Sequence, residues 1–313
     1  MAEWFSVFDI CLTNAKTPAV FWEKVTLIGV GLLGGSLGLA LRRRRLAKSV
    51  VGFVRRAESM REAAKAGAVT SATMDLEEAV RGADLIVFCT PIGQMRALAE
   101  DLLPAMGRGT VVTDVGSVKE TVVSEVEPII ARAGRQFIGS HPMAGSEKTG
   151  VSASQEKLFQ NAICVVTPTR KSNRRAIAKV EEMWKSVGCR VLKLSPGQHD
   201  ELVSRSSHLP HLLAASLASF VLNPSHPEAQ ALLCANGFRD STRIASGSPE
   251  MWRDIAIANR GNLVRALDSF TGELRSLRRL LSTGDSARIR DFLIGAKRRR
   301  DDWAQGTGSP SPE

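Results

Sequence analysis

Nothing in these 313 residues is apolar for long enough to cross a bilayer: glycine or charge breaks every hydrophobic stretch well before the roughly 20 residues that a spanning helix needs. The amino terminus, MAEWFSVFDICLTNAKTPAVFWEK, carries Glu3 and lacks a basic start leading into an apolar core, so it does not read as a secretory signal. Cysteines are few and scattered (Cys11, Cys89, Cys164, Cys189, Cys234), odd in number and without a CxxC pair. That disfavours a disulfide framework and a zinc site, and suits a reducing cytoplasm. Cys89 lies in the run LIVFC and reads as strand core, not as a catalytic thiol. Tyrosine is missing altogether, which excludes nothing about mechanism. No aromatic residues interleave with the basic clusters Arg42–Arg45 and Lys297–Arg300, and no helix-turn-helix or RNA-binding signature accompanies them. The net charge of +10 is therefore read as solvated basic faces, placed where helix C-termini are expected and able to attract anionic small molecules, with no nucleic-acid partner.

What remains is an ordinary globular composition, 43% hydrophobic and 24% charged, in a chain long enough for two domains. From Lys24 the pattern is strand, glycine turn, helix, strand, repeated. KVTLIGVG, SVVGFV, ADLIVFCTP, GTVVTDVGS, RQFIGSHPM, NAICVVTP and CRVLKLS read as strands, with helices between them. This alternation predicts an α/β fold: a Rossmann-type dinucleotide-binding domain built on a mostly parallel sheet covered on both faces. After Ser195 no convincing strand follows. Ser195-Pro196-Gly197-Gln198 is a helix start with a Ser cap, Pro at the first helical position and Gln three residues after the cap. A long helix should follow, kinked at Pro210. Another start lies at Ser248-Pro249-Glu250, and beyond it Leu263, Leu267, Phe270, Leu274, Leu277 and Leu281 recur in steps of four and three, an apolar seam for a helical partner. The expected organisation is an extension (1–23), a dinucleotide-binding domain (24–195), an all-helical substrate and dimerisation domain (196–303) and a disordered tail (304–313).

Gly29, Gly31 and Gly34 form G-x-G-x-x-G between a predicted strand and a predicted helix. The three glycines serve a tight turn, close backbone approach to a pyrophosphate, and close helix–strand packing, with the phosphates on the free N–H groups at the helix start. Leu32 and Leu33 open that helix, and they are expected around the cofactor together with Thr90 and Pro91 of the CTPI segment. At the end of the second strand, where a carboxylate would bind the ribose hydroxyl of NAD, stand Val54-Arg55-Arg56, with the first acidic residue at Glu58. Two arginines and no carboxylate favour a 2′-phosphate, hence NADP over NAD.

Ser117 in DVGSVK and His141 in GSHPMAGSEKTG both follow predicted strands, on the edge where open α/β sheets bind ligands. A histidine there can accept a proton from a substrate hydroxyl while a hydride leaves for the nicotinamide, and a nearby serine can orient the imidazole. With GVGLLGGSLGLAL, CTPI, HDELVSRSSHLPH and GFRDSTRIASGSPEMWRDI, these blocks resemble the prephenate/arogenate dehydrogenase family, in order, from about Lys24 to Trp303.

The resemblance implies an oxidative decarboxylation of a cyclohexadienyl ring in tyrosine biosynthesis, with His141 as base, Ser117 positioning it near the nicotinamide, and a homodimer paired through the helical domains. Arg243 in STRIA matches the family's substrate-carboxylate arginine, whose planar fork suits bidentate binding; pairing with Asp240 or Asp254 is its structural alternative. His211 is expected to face substrate, with Ser146 near the entrance beside Glu147 and Lys148, and Trp252 packing nearby. His199 and His208 are expected in structure or polar networks. No metal is expected, because a third ligand at suitable spacing is missing. Prephenate is the expected substrate. Arogenate, an amino analogue of prephenate, and a nucleotide-sensing binding protein without catalysis stay open as alternatives.

Overall fold

Runs of β-branched and large apolar residues that end in glycine or in a small polar residue become the strands of one sheet. The structure, a computed structural model, describes residues 22–306. Most of the expected extension (1–23) and most of the expected tail (304–313) lie outside the described residues. In chain order the elements are β1 (Trp22–Ile28), α1 (Leu32–Arg43), β2 (Ala47–Phe53), α2 (Ala57–Lys65), β3 (Ser71–Thr73), α3 (Leu76–Val80), β4 (Leu85–Phe88), α4 (Ile92–Leu102), β5 (Val111–Asp114), α5 (Glu120–Arg132), β6 (Gln136–Pro142), β7 (Ile163–Thr167), α6 (Arg174–Ser186) and β8 (Arg190–Lys193). From there on the described chain is helical: α7 (Pro196–Val203), α8 (Leu209–Val221), α9 (Glu228–Leu232), α10 (Asn236–Thr242), α11 (Pro249–Ala258), α12 (Arg260–Thr283) and α13 (Ser286–Gly306).

The eight strands run in the order β3-β2-β1-β4-β5-β6-β7-β8. All neighbours are parallel except β6 and β7, which pair antiparallel with His141 opposite Val165. Parallel strands need a crossover, and no long helix lies between β6 and β7, so the chain returns alongside in the opposite sense. Strand order reverses between β1 and β4, which opens a crevice beyond their C-terminal ends. The sheet's two faces are packed separately. Leu27, Leu37, Leu41, Val50, Val87 and Trp184 belong to one core, and Ile28, Ile86, Phe88, Met95, Val112 and Ile130 to the other.

The pair β3 and α3 was not anticipated, because three residues of strand carry no readable period. β1 also begins at Trp22, two residues before the expected start; that indole is buried and pairs in register with Ala47. Ser195 makes the expected reciprocal cap with Gln198. The helix it starts does not simply kink at Pro210. A π-helical turn over Ser204–His208 intervenes, and Pro210 falls in the first turn of α8, where its missing N–H costs nothing. Among the described residues one compact unit runs to Arg260 and a second begins at Gly261. Helices α7 to α11 thus share a unit with the sheet.

Candidate active site

The glycine turn is built as its spacing requires. Gly29 has φ +98°, and a Cβ there would stand 3.0 Å from the Cys89 carbonyl oxygen. A Cβ on Gly34 would stand 2.2 Å from the Gly29 carbonyl oxygen, so helix and turn can approach this closely only through glycine. At Gly31 a Cβ would meet nothing within 4 Å: the fold leaves that space open. Gly31 is also the N-cap of α1, with no side-chain cap and no acidic residue in the first turn, and Leu32 and Leu33 follow it. Thr90, beyond β4, holds a buried hydroxyl without a hydrogen-bond partner among the described residues. Pro91 caps α4 beside it. An open cradle, an uncapped helix start and an orphaned hydroxyl fit a dinucleotide. Arg55 and Arg56 stand exposed after β2, and Arg56 is the N-cap of α2. Cys89, expected as strand core, lies just past the end of β4, half-buried and packed against the core; it is a free thiol whose pKa burial pushes well up, so it is not primed as a nucleophile.

Along the sheet edge from this crevice lies a buried polar network that connects β5, α5, β6 and α6. Asp114 ends β5 and Lys119 precedes α5; both side chains are fully buried and form an ion pair. Lys119 Nζ also donates to the Ser140 carbonyl at 2.8 Å, while Asp114 accepts from the Ser140 N–H at 2.9 Å and the Gly116 N–H at 2.8 Å. The Ser140 hydroxyl accepts from Trp184 Nε1 at 2.9 Å. Three of these bonds hold Ser140, the residue immediately before His141.

His141 is itself buried, and its Nδ1 lies 2.8 Å from His199 Nε2. His199 Nδ1 lies 2.7 Å from Asp200 Oδ1. Asp200 in turn accepts from the backbone N–H of Lys119 at 2.7 Å and of Glu120 at 2.9 Å, capping α5 from a helix 80 residues away. Asn259, just past α11, donates to the Asp200 carbonyl at 2.9 Å and lies 3.0 Å from His208 Nδ1. Burial holds the His141 pKa well below the usual imidazole value, with His199, Lys119 and His208 adding to the effect. Burial also lowers His199, against the opposing pull of Asp200, and brings His208 down to about 4. A neutral imidazole is the form a base needs.

The expected orienting partner differs from the one found. Among the described residues the Nδ1 of His141 is engaged by His199, and no hydrogen bond joins His141 to Ser117. Ser117 lies half-buried on the β5–α5 connection. His211 is stacked face to face on Trp252, with ring centroids 3.5 Å apart and planes 10° apart. A Cβ on Gly247 would come within 2.8 Å of Trp252 Nε1, so this glycine makes room for the stack. Arg243 pairs with Glu147 at 3.0 Å, not with Asp240 or Asp254, and its side chain stays 61% exposed. Asp254 is paired with Arg253. Ser146 lies in the same loop as Glu147, its hydroxyl accepting from the Lys148 N–H at 3.2 Å. Among the described residues no group of three or more His, Cys, Asp or Glu is arranged to hold a metal, and no helix is long and apolar enough to cross a membrane.

Sequence reasoning missed Asp114, Lys119 and Asn259, and left Asp200 without a role. One signal was available: an aspartate closes the otherwise apolar run of β5, and a lysine follows five residues later, a placement that buries both unless they pair.

Over most of its length the chain is similar to known proteins. Residues 37–193 match the family model described as prephenate dehydrogenase, nucleotide-binding domain, and residues 195–294 match the model described as prephenate dehydrogenase, dimerization domain. The prephenate dehydrogenase of Bacillus subtilis is 34% identical over 89% of this chain and 76% of its own length. The crystal structure of prephenate dehydrogenase from Aquifex aeolicus, in complex with hydroxyphenyl propionate and NAD+, superposes with a TM-score of 0.83 at 32% identity, covering 90% of this chain and 98% of that one. Synechocystis arogenate dehydrogenase superposes with a TM-score of 0.75 at 30% identity, over 90% and 99%. With both halves matched in order, and with relatives this similar over most of its length, the chain belongs to the prephenate dehydrogenase family.

Proposed function

We propose that this chain catalyses the oxidative decarboxylation of prephenate to 4-hydroxyphenylpyruvate in tyrosine biosynthesis, with arogenate, giving tyrosine directly, as the alternative substrate. The observation that carries the reading is His141: buried, held neutral, and hydrogen-bonded through Nδ1 on the edge of the sheet that also carries the glycine turn. A bound nicotinamide dinucleotide supplies the hydride acceptor for C4 of the ring. His141 takes the proton of the 4-hydroxyl. The ring carboxylate leaves as CO2, its bonding electrons complete the aromatic ring, and the proton returns to the phenolate oxygen. The products are 4-hydroxyphenylpyruvate, CO2 and the reduced dinucleotide, and loss of CO2 with aromatisation makes the step effectively irreversible.

Arg243 binds a substrate carboxylate through its planar fork, which requires that it exchange or share its partner Glu147. His211, held flat by Trp252, contacts substrate from the helical side. Ser146 lines the entrance, and Ser117 sits beside the nicotinamide. Gly29, Gly31, Gly34, Leu32, Leu33, Thr90 and Pro91 hold the dinucleotide. Exposed Arg55 and Arg56, which form no ion pair in the described structure, favour a 2′-phosphate and so NADP over NAD. Leu267, Leu274 and Leu281 stand exposed along one side of α12, in the segment matched to the dimerization model, and support a homodimer. The free thiols of Cys89, Cys164, Cys189 and Cys234 suit a reducing cytoplasm.

The deciding experiment is reduction of NADP and of NAD by the purified protein, each with prephenate and with arogenate, followed at the nicotinamide absorbance. Turnover in one of the four combinations establishes substrate and cofactor together. Silence in all four from folded protein overturns the reading.

A further inference from the structure

From the chain of contacts that ends at Asp200, we infer that His199 and Asp200 form a positioning relay that fixes which nitrogen of His141 is free to take the substrate proton. The inference rests on His141 being the base.

The argument is one of donors and acceptors. A carboxylate can only accept hydrogen bonds. Asp200 Oδ1 already accepts the Lys119 N–H, Oδ2 accepts the Glu120 N–H, and His199 Nδ1 stands 2.7 Å from Oδ1. His199 must therefore carry its proton on Nδ1. A neutral imidazole has one proton, so His199 Nε2 is a bare acceptor, and burial lowers the pKa of this ring and keeps it neutral. The nitrogen facing that acceptor at 2.8 Å is His141 Nδ1, which must then carry the proton and donate. Only one nitrogen is left with a lone pair: His141 Nε2, which has no hydrogen bond among the described residues. The tautomer of the base is thus set two residues away, by two backbone N–H groups at the start of α5.

The same relay acts when the proton arrives. Lys119 opposes positive charge on both rings, but His141 has only His199, Lys119 and His208 acting against it, whereas on His199 the carboxylates of Asp200 and Asp114 pull the other way. A proton on Nε2 of His141 strengthens its Nδ1–H bond to His199, and through it the bond to Asp200. The charge is then shared toward the Asp200 carboxylate, which lies 2.7 Å from His199 Nδ1. This is the logic of an aspartate that orients a histidine base, extended by one imidazole.

Two measurements test it. The chain has five histidines in all, so two-bond 1H–15N spectra of the histidine-labelled, full-length protein can resolve each ring. The expected result is Nδ1–H at both His199 and His141 in the ligand-free protein at pH 8. An Nε2–H tautomer at His141 overturns the inference, and this readout is independent of whichever substrate is turned over. The second measurement is kinetic. His199→Phe keeps a flat ring but removes the acceptor. Its kcat should fall on the order of 10²- to 10⁴-fold, the span a positioned base contributes, with KM within about threefold. His199→Gln, whose amide oxygen can still accept from Nδ1–H, should recover at least about tenfold of that loss. Undiminished kcat in His199→Phe, or a loss equal in Phe and Gln variants, refutes the relay. Should His199→Phe not fold, the tautomer of the wild-type protein and the kcat of His199→Gln still decide it.

Discussion

Thr90 offers a test in which stability and binding should move in opposite directions. Its hydroxyl is buried and unpartnered among the described residues, while its methyl Cγ2 lies against the glycine turn, 3.1 Å from where a Gly29 Cβ would be. Thr90→Val keeps that shape and the β-branch and removes only the orphaned oxygen. An unsatisfied buried hydroxyl costs about 1–3 kcal/mol, so the ligand-free protein should gain about 1 kcal/mol, a rise of about 2–4 °C in Tm for a chain of this size. With the dinucleotide bound the sign reverses. The hydroxyl is then satisfied, and losing that bond costs about 1 kcal/mol, or about fivefold in Kd. Thermal unfolding with and without cofactor, together with a fluorescence titration of cofactor, reads both quantities on one variant. The ligand-free Tm should rise while the increment produced by a fixed cofactor concentration shrinks. A lower Tm in the ligand-free variant, or an unchanged cofactor affinity, would refute the assignment of this oxygen to the cofactor.

Other perturbations follow from the same geometry. Gly31→Ala should fold with wild-type Tm but bind cofactor at least about tenfold more weakly, whereas Gly34→Ala should lose stability as well, because its Cβ would overlap the Gly29 carbonyl oxygen; equal Tm values for the two variants would contradict this. Arg243→Ala should raise KM far more than it lowers kcat, and His141→Asn should do the reverse, so steady-state kinetics in which the two variants look alike would remove both assignments. Lys119→Met should destabilise by about 3–5 kcal/mol, because it strands the Asp114 carboxylate in a fully buried site; denaturant unfolding measures the loss, and a value under about 1 kcal/mol would mean the pair is not buried as described. His208 has its folded pKa lowered to about 4, so between there and its ordinary value the unfolded chain binds more protons. Its contribution, roughly 3 kcal/mol, is complete above about pH 6.5 and is lost as pH falls toward 4. His208→Asn should flatten the dependence of unfolding free energy on pH over that window.

How much of this could be read from the chain depends on the range of the physics involved. The glycine turn, the strand and helix alternation and the cap at Ser195 are local patterns, and the structure carries all three. Strands too short to show a period escaped, as β3 did, and so did the antiparallel return of β7, which depends on what the intervening chain does and not on the strand itself. The candidate site divides in the same way. His141 announces itself by its place after a strand, but its partner His199 lies 58 residues away, and nothing in either neighbourhood points to the other. A serine three residues past the neighbouring strand was the nearer choice. The pairing of Arg243 with Glu147, 96 residues apart, was hidden for the same reason, whereas the stacking of His211 on Trp252 was foreshadowed only as a general proximity.

The double duty of Asp200 bears on where this protein could be cut or rebuilt. The junction near residue 195, where strands give way to helices, looks like the natural place to separate a nucleotide-binding module from the rest. Chemically it is a poor one. A fragment ending there would leave the N–H groups of Lys119 and Glu120 without their carboxylate cap, and would leave the imidazole of His141 free to hold its proton on either nitrogen. The same carboxylate closes a helix and sets a base, so any graft of this sheet onto a foreign helical partner must bring along an aspartate and a histidine at the start of the first helix. Without them the graft would bind its dinucleotide and do little with it.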